Sequence, residues 1–248
     1  MSANPTIPSP RGIPLDVDVE FTPAAYADPR SHTADWHGTL EGRKQKVPIE
    51  SGAITIEELL REDHHRYYGR PWIMGRYYAD ALVVFGLKQS ERVLDIGCGA
   101  GRTGCQLIPR LEPGRYFGID AHLRSLIAFA GYEIFVHNLK PRMPRLLLSR
   151  NFEFEAFGGT FDVALDFSVT HHLPQESVSH CYKKLRSVMD AGGRAYLVAL
   201  PRISLDEMEA LGFQLNRTRT IRYPLLAEMA RIGPKAIDED TWYEFVAI

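Results

Sequence analysis

From Glu91 onward, short apolar runs alternate with longer stretches whose apolar residues recur at helical spacing. The runs predict strands over Arg92–Ile96, Arg115–Ile119, Phe161–Asp166 and Arg194–Leu200, with a weaker one near Phe152-Glu153-Phe154. The amphipathic stretches predict helices over Gly101–Leu111, His122–Phe135, Gln175–Met189 and, shorter, Ser204–Leu211. Two β-patterned runs close the chain, Phe213–Tyr223 and Trp242–Ile248. Strand–helix alternation predicts a mainly parallel sheet with helices on both faces. The final runs have no obvious long helix between them and predict an antiparallel C-terminal strand pair. Upstream, Thr55-Ile56-Glu57-Glu58 has the form of a capping box, so a helix is expected from Thr55 to about Tyr68. Pro71 can open another, reaching Gly86. Before these, Pro5, Pro8, Pro10 and Pro14 rule out a long helix. The expected organisation is a partly disordered or draped arm (1–54), a helical cap (55–86) and an α/β domain (87–248).

Composition adds limits. The chain has 248 residues, of which 45% are hydrophobic, enough for one α/β domain with a substantial core. A formal net charge of −2 argues against a general nucleic-acid binder, which needs a basic face. The local run Lys140, Arg142, Arg145 and Arg150 reads as a solvated face, or less often as one that meets an anionic substrate. Cys98, Cys105 and Cys181 are odd in number and not closely paired, against a disulfide framework. No secretory signal or membrane-length run is visible, so a cytoplasmic protein without a membrane partner is expected.

The candidate chemistry gathers at Val93-Leu94-Asp95-Ile96-Gly97-Cys98-Gly99-Ala100-Gly101, where a strand ends in an acid and a glycine-rich turn follows. Such a turn can pass against a ligand. Asp120 closes the next strand, where a carboxylate can accept from both hydroxyls of a ribose, or simply cap the following helix. Together they read as a nucleoside-cofactor site. Gly99, Gly101 and Gly104 also satisfy the dinucleotide fingerprint, which is weak alone and leaves an NAD-dependent oxidoreductase as an alternative. Asp95 stands against it: a carboxylate there would repel a pyrophosphate and favour a cationic ligand.

These residues resemble the class I S-adenosylmethionine-dependent methyltransferases of the small-molecule branch. The matching segments are Val93–Gly101, Gly118-Ile119-Asp120, Phe161–Asp166, Val169–Leu173 and Ala191-Gly192-Gly193, in the family's order. The resemblance implies a Rossmann-like, seven-stranded sheet, S-adenosyl-L-methionine as cofactor, and methyl transfer to a small or medium-sized acceptor, with oxygen slightly favoured over nitrogen. A non-catalytic S-adenosylmethionine-binding accessory protein is the other alternative. On the family pattern the cofactor contacts are Asp95, Gly97, Cys98, Gly99, Gly101, Asp120 and Ala121, with Asp166, Phe167 and Ser168 facing the methyl. Relatives often carry an Asp after strand three. Glu155-Ala156 stands at the corresponding point here, a departure from the pattern. Candidate bases are His171, His64 and Asp166, and candidate acceptor contacts are Tyr67, Tyr68, Trp72 and His171, weighed against plain aromatic packing. Adjacent His171 and His172 diverge and no zinc motif accompanies them, so no metal is expected. The expected state is a monomer or homodimer.

Overall fold

The computed structural model describes residues 7–8, 14–20, 54–67, 72, 74–222 and 239–248; residues 7–8, 14–20, Arg66 and Glu239 are described by backbone only. The strands are β1 (Ile7–Pro8), β2 (Pro14–Glu20), β3 (Val93–Ile96), β4 (Tyr116–Asp120), β5 (Arg145–Leu148), β6 (Phe161–Asp166), β7 (Met189–Leu197), β8 (Phe213–Arg222) and β9 (Glu239–Ala247). They form one sheet in the order β1-β2-β8-β9-β7-β6-β3-β4-β5. β3 to β7 are mutually parallel, and β9 runs antiparallel between β7 and β8. The expected seven-stranded sheet with its antiparallel C-terminal pair is therefore present. Two short strands from the N-terminal arm extend it beyond β8.

Alternation along the strands produces two cores. On β6, Val163 and Leu165 enter one core and Ala164 the other; on β7, Tyr196 opposes Ala195 and Leu197. Helix α2 (Met74–Val84) covers the first core with Met74, Tyr77, Tyr78, Ala81 and Leu82. Helix α6 (Gln175–Val188) covers the second with Val178, Cys181, Tyr182 and Leu185. Burying both faces is what a parallel sheet requires. Among the described residues no helix is long and apolar enough to cross a membrane.

Several expected elements take other forms. The first cap helix, α1, spans only Ile56–Leu60; the Thr55–Glu58 capping box is formed, but Glu62 adopts a left-handed conformation that stops the helix. A 3₁₀ turn over Asp63–Arg66 follows. The helix after the glycine turn, α3 (Gly104–Leu107), tightens into a 3₁₀ turn at Pro109. The next comprises α4 (Leu123–Ala128), a π-helical turn (Phe129–Glu133) and α5 (Ile134–Val136). The third strand of the parallel set is β5, within the basic run, and the expected Phe152-Glu153-Phe154 strand is absent. That alternation leads into a 3₁₀ turn over Phe154–Phe157, whose two end phenylalanines plug the second core. Helix α7 spans Leu205–Ala210.

Candidate active site

The chain passes from β3 to β4 and β5 on one side, then returns to β6 and β7 on the other. The reversal opens a crevice at the carboxyl ends of β3, β4 and β6, where open α/β sheets bind ligands. A pocket of about 640 Å³ lies there. It is lined by Asp95–Gly99, Arg102-Thr103, Ile119–His122, Ser149-Arg150, Phe152, Phe167–Val169, His171–Leu173 and Ser177.

The glycine turn is pinned to β4. Gly97 and Cys98 N–H donate to the Ile119 carbonyl at 2.8 and 3.0 Å. Gly99 N–H donates to Asp120 Oδ2 at 2.8 Å, and His122 N–H to Asp120 Oδ1 at 2.7 Å. Gly97 has φ +67, and a Cβ there would strike the Val169 side chain. The turn can therefore lie against the loop after β6 only as glycine. Asp120 does double duty: it braces the turn and presents a carboxylate to the pocket. Burial raises its pKa, against the pull of the His122 and Gly99 N–H groups.

Asp95 is buried and faces the pocket, accepting from the Tyr116 hydroxyl at 2.6 Å. Burial pushes it up to about 7; the Tyr116 bond opposes the rise and nearby Asp120 adds to it. A cation in the pocket would relieve this cost, whereas a pyrophosphate would add to it. Phe167 and Ser168 form the opposing wall. Ser168 has φ +64, an uncommon conformation for a residue other than glycine.

The expected cofactor contacts Asp95, Gly97, Cys98, Gly99, Asp120, Ala121, Phe167 and Ser168 line this pocket together with His171. Gly101 lies behind it, against the Phe129 ring. Others lie elsewhere. Glu155 and Ala156 are exposed on the 3₁₀ turn, where Glu155 pairs with Lys184 at 2.7 Å. The displacement follows from strand three ending at Leu148, so Ser149 and Arg150 occupy the pocket edge instead. The Asp166 carboxylate is occupied within the protein: Oδ1 accepts from Val169 and Thr170 N–H at 3.1 Å each, and Oδ2 from the Tyr182 hydroxyl at 2.7 Å and from the Thr170 hydroxyl. It shapes the loop that carries Phe167 and Ser168.

His64 is also removed from the pocket, fully buried with Nε2 2.6 Å from Glu133 Oε1. Tyr67 is buried, its hydroxyl accepting from Arg124 at 3.0 Å, and Trp72 stacks on His65 at 3.8 Å. The cap aromatics are packing and anchoring groups rather than a pocket roof. Tyr68 lies outside the described residues. Of the basic run only Arg150 reaches the pocket; Arg145 stacks over Phe117 and Phe157, and Arg142 donates to the Leu111 carbonyl. Sequence reasoning missed Tyr116 as the partner of Asp95. Its signal was a tyrosine at the start of the strand neighbouring β3.

A parallel sheet with one antiparallel strand inserted near its end, a glycine turn after β3 and a carboxylate ending β4 define a class. That class is the Rossmann-like fold of the class I methyltransferases. Residues 94–195 match a family model described as a methyltransferase domain. Solved structures agree in fold. Magnesium protoporphyrin IX methyltransferase from Synechocystis PCC 6803 with bound cofactor superposes with TM-score 0.54 at 17% identity, over 90% of this chain and 99% of that one. The glycopeptide N-methyltransferase MtfA, complexed with S-adenosylmethionine, gives 0.54 at 14% identity, over 70% and 94%. The [4+2]-cyclase SpnF gives 0.52 at 14%, over 69% and 80%. One fold thus carries differently named chemistries, and function must be argued from the site.

Proposed function

We propose that the protein transfers the methyl group of S-adenosylmethionine to a small or medium-sized acceptor, at oxygen in preference to nitrogen. The observation that carries this reading is the convergence on one pocket of Asp95, Asp120 and the glycine turn on one side and His171 on the other. The residues fit the cofactor. Asp120 keeps lone pairs for two ribose hydroxyls after serving its backbone donors. Asp95 suits the cationic methionine end, and the pocket volume suits a nucleoside with room for an acceptor.

Bound there, the cofactor supplies an activated methyl on a positively charged sulfur. The protein's own contribution is aim, exclusion of water and handling of a proton. Phe167 and Ser168 form the wall against which an acceptor is placed. An acceptor hydroxyl loses its proton as its oxygen takes the methyl, and His171 is the candidate to receive it. Of the three bases expected from the sequence, only His171 faces the pocket, which is why oxygen is preferred. The magnesium protoporphyrin IX and glycopeptide enzymes point to small and medium-sized acceptors as the class to screen.

The test is calorimetric titration with S-adenosylmethionine, S-adenosylhomocysteine and NAD, followed by turnover of phenolic, carboxylic and amine acceptors by wild type and His171→Gln. Micromolar binding of the first two ligands with NAD silent, and hydroxyl turnover dependent on His171, are expected. Binding of NAD alone overturns the cofactor assignment. Turnover confined to amines and insensitive to His171 overturns the oxygen preference.

A further inference from the structure

Behind the glycine turn a second cluster of reactive side chains serves no part of the proposed reaction. Glu133 ends the π-helical turn and is fully buried. Its Oε1 lies 2.6 Å from His64 Nε2 and 2.7 Å from His65 Nε2. Its Oε2 lies 3.0 Å from His137 Nε2 and 3.6 Å from Cys105 Sγ. Three imidazoles and a thiol thus converge on one carboxylate. We propose that His64, His65 and Glu133 hold a divalent transition-metal ion of the zinc type, with His137 and Cys105 bracing the second carboxylate oxygen.

The donor types are among those that zinc selects: imidazole nitrogen and carboxylate. Bonds of about 2.0–2.1 Å to nitrogen or oxygen place tetrahedral neighbours about 3.3 Å apart. The two Nε2–Oε1 separations, 2.6 and 2.7 Å, are shorter than this, so an ion would push each imidazole about 0.6–0.7 Å further from the carboxylate. The ligand atoms of His64, His65 and Glu133 already lie within 4.8 Å of one another.

Hydrogen bonding alone leaves the cluster poorly satisfied. Nδ1 of His64 and of His65 are buried without a hydrogen-bond partner. Nδ1 of His65 looks toward Glu62 Oε2 at 3.6 Å, which places a carboxylate behind a metal-facing histidine.

The backbone is shaped for the convergence. Left-handed Glu62 turns the chain so that consecutive histidines in the 3₁₀ turn reach one oxygen. The π turn presents Glu133 and His137 together, and such turns often mark functional sites. The ligands come from two elements, the cap and the π turn. Cys105 lies just beyond Arg102 and Thr103 of the cofactor pocket. An ion here would staple the cap to the base of the glycine turn, and the site does not depend on the methyl-transfer assignment.

The test uses tag-free, full-length protein stripped with chelator and titrated with Zn²⁺ and with Co²⁺ as a spectroscopic probe. About one equivalent should bind, with visible cobalt ligand-field bands that Cys105→Ser leaves in place. Glu133→Gln and His64→Gln, verified as folded by circular dichroism, should weaken binding about a hundredfold or more. Wild-type protein that binds neither ion saturably, or a folded Glu133→Gln that binds as wild type does, overturns the proposal.

Discussion

The elevated Asp95 carboxyl makes cofactor binding a pH-dependent event. Its pKa of about 7 lies about 3 units above the unfolded value of 3.8. The sign is that of a destabilised charge. Stability is intact below the unfolded pKa, falls as pH rises from about 4 toward 7, and levels off above that, for a total of about 4 kcal/mol. A ligand cation beside Asp95 favours the ionised form and must displace its proton. If only the ionised form binds, the competent fraction is about 0.09 at pH 6 and about 0.9 at pH 8, so affinity should differ about tenfold.

The assay is calorimetry with S-adenosylmethionine from pH 5.5 to 8.5, in buffers of different ionisation enthalpy. Near pH 7 about half a proton should be released per cofactor bound. His122, His171 and His172 also line the pocket and are further ionisable groups there. Asp95→Asn separates the causes: it keeps the shape and should abolish most of the linkage while lowering affinity at pH 8. Affinity independent of pH, or linkage unchanged in Asp95→Asn, refutes the placement of the cationic end at Asp95.

Asp120→Ala removes the acceptor for Gly99 and His122 and the partner proposed for the ribose. Loss of about 3 kcal/mol, roughly a hundredfold in cofactor affinity by titration, is expected from charge-assisted bonds. Asp166→Asn converts an acceptor of four donors into a group that can serve only some of them. Denaturant melts should show a loss of about 2–3 kcal/mol, with cofactor affinity above the melt changing less than in Asp120→Ala. Arg124→Met leaves Tyr67 and Glu58 without the cation that ties the cap to α4, so limited proteolysis should cut the cap while sparing the sheet. Cleavage no faster than in wild type would show that apolar contacts alone hold the cap.

The cofactor side was legible because its information is local. A strand, a glycine turn and an acid ending the next strand follow one another within 28 residues, from Val93 to Asp120, and parallel pairing then dictates that their ends meet. What escaped was non-local or at an edge. Strand β5 is half exposed and Arg-led, so it lacked the buried apolar signature, while the Phe152–Phe154 alternation imitated it. That error displaced the expected pocket edge from Ser149 to Glu155. His64 was noticed as a histidine near aromatics, but its partner Glu133 lies 69 residues on and is aimed inward by a π turn that no periodicity announces.

The three carboxylates at the strand ends show why residue type alone could not assign their roles. Asp95, Asp120 and Asp166 all end or nearly end parallel strands and all are buried. They differ in what already bonds to them. Asp166 accepts from four groups of its own loop and helix α6, so its charge is spent on shaping the chain. Asp120 accepts from two backbone donors and retains capacity toward the pocket. Asp95 accepts from the Tyr116 hydroxyl and has Arg102 nearby, not enough to offset its burial. A carboxylate with few donors and a high desolvation cost gains most from an arriving cation. The order of ligand responsiveness should therefore be Asp95, then Asp120, then Asp166, the reverse of the order in which each is served by the protein. Isotope-edited infrared titration of the carboxylates with and without S-adenosylmethionine would read this order directly. A cofactor-induced shift largest at Asp166 would break the argument.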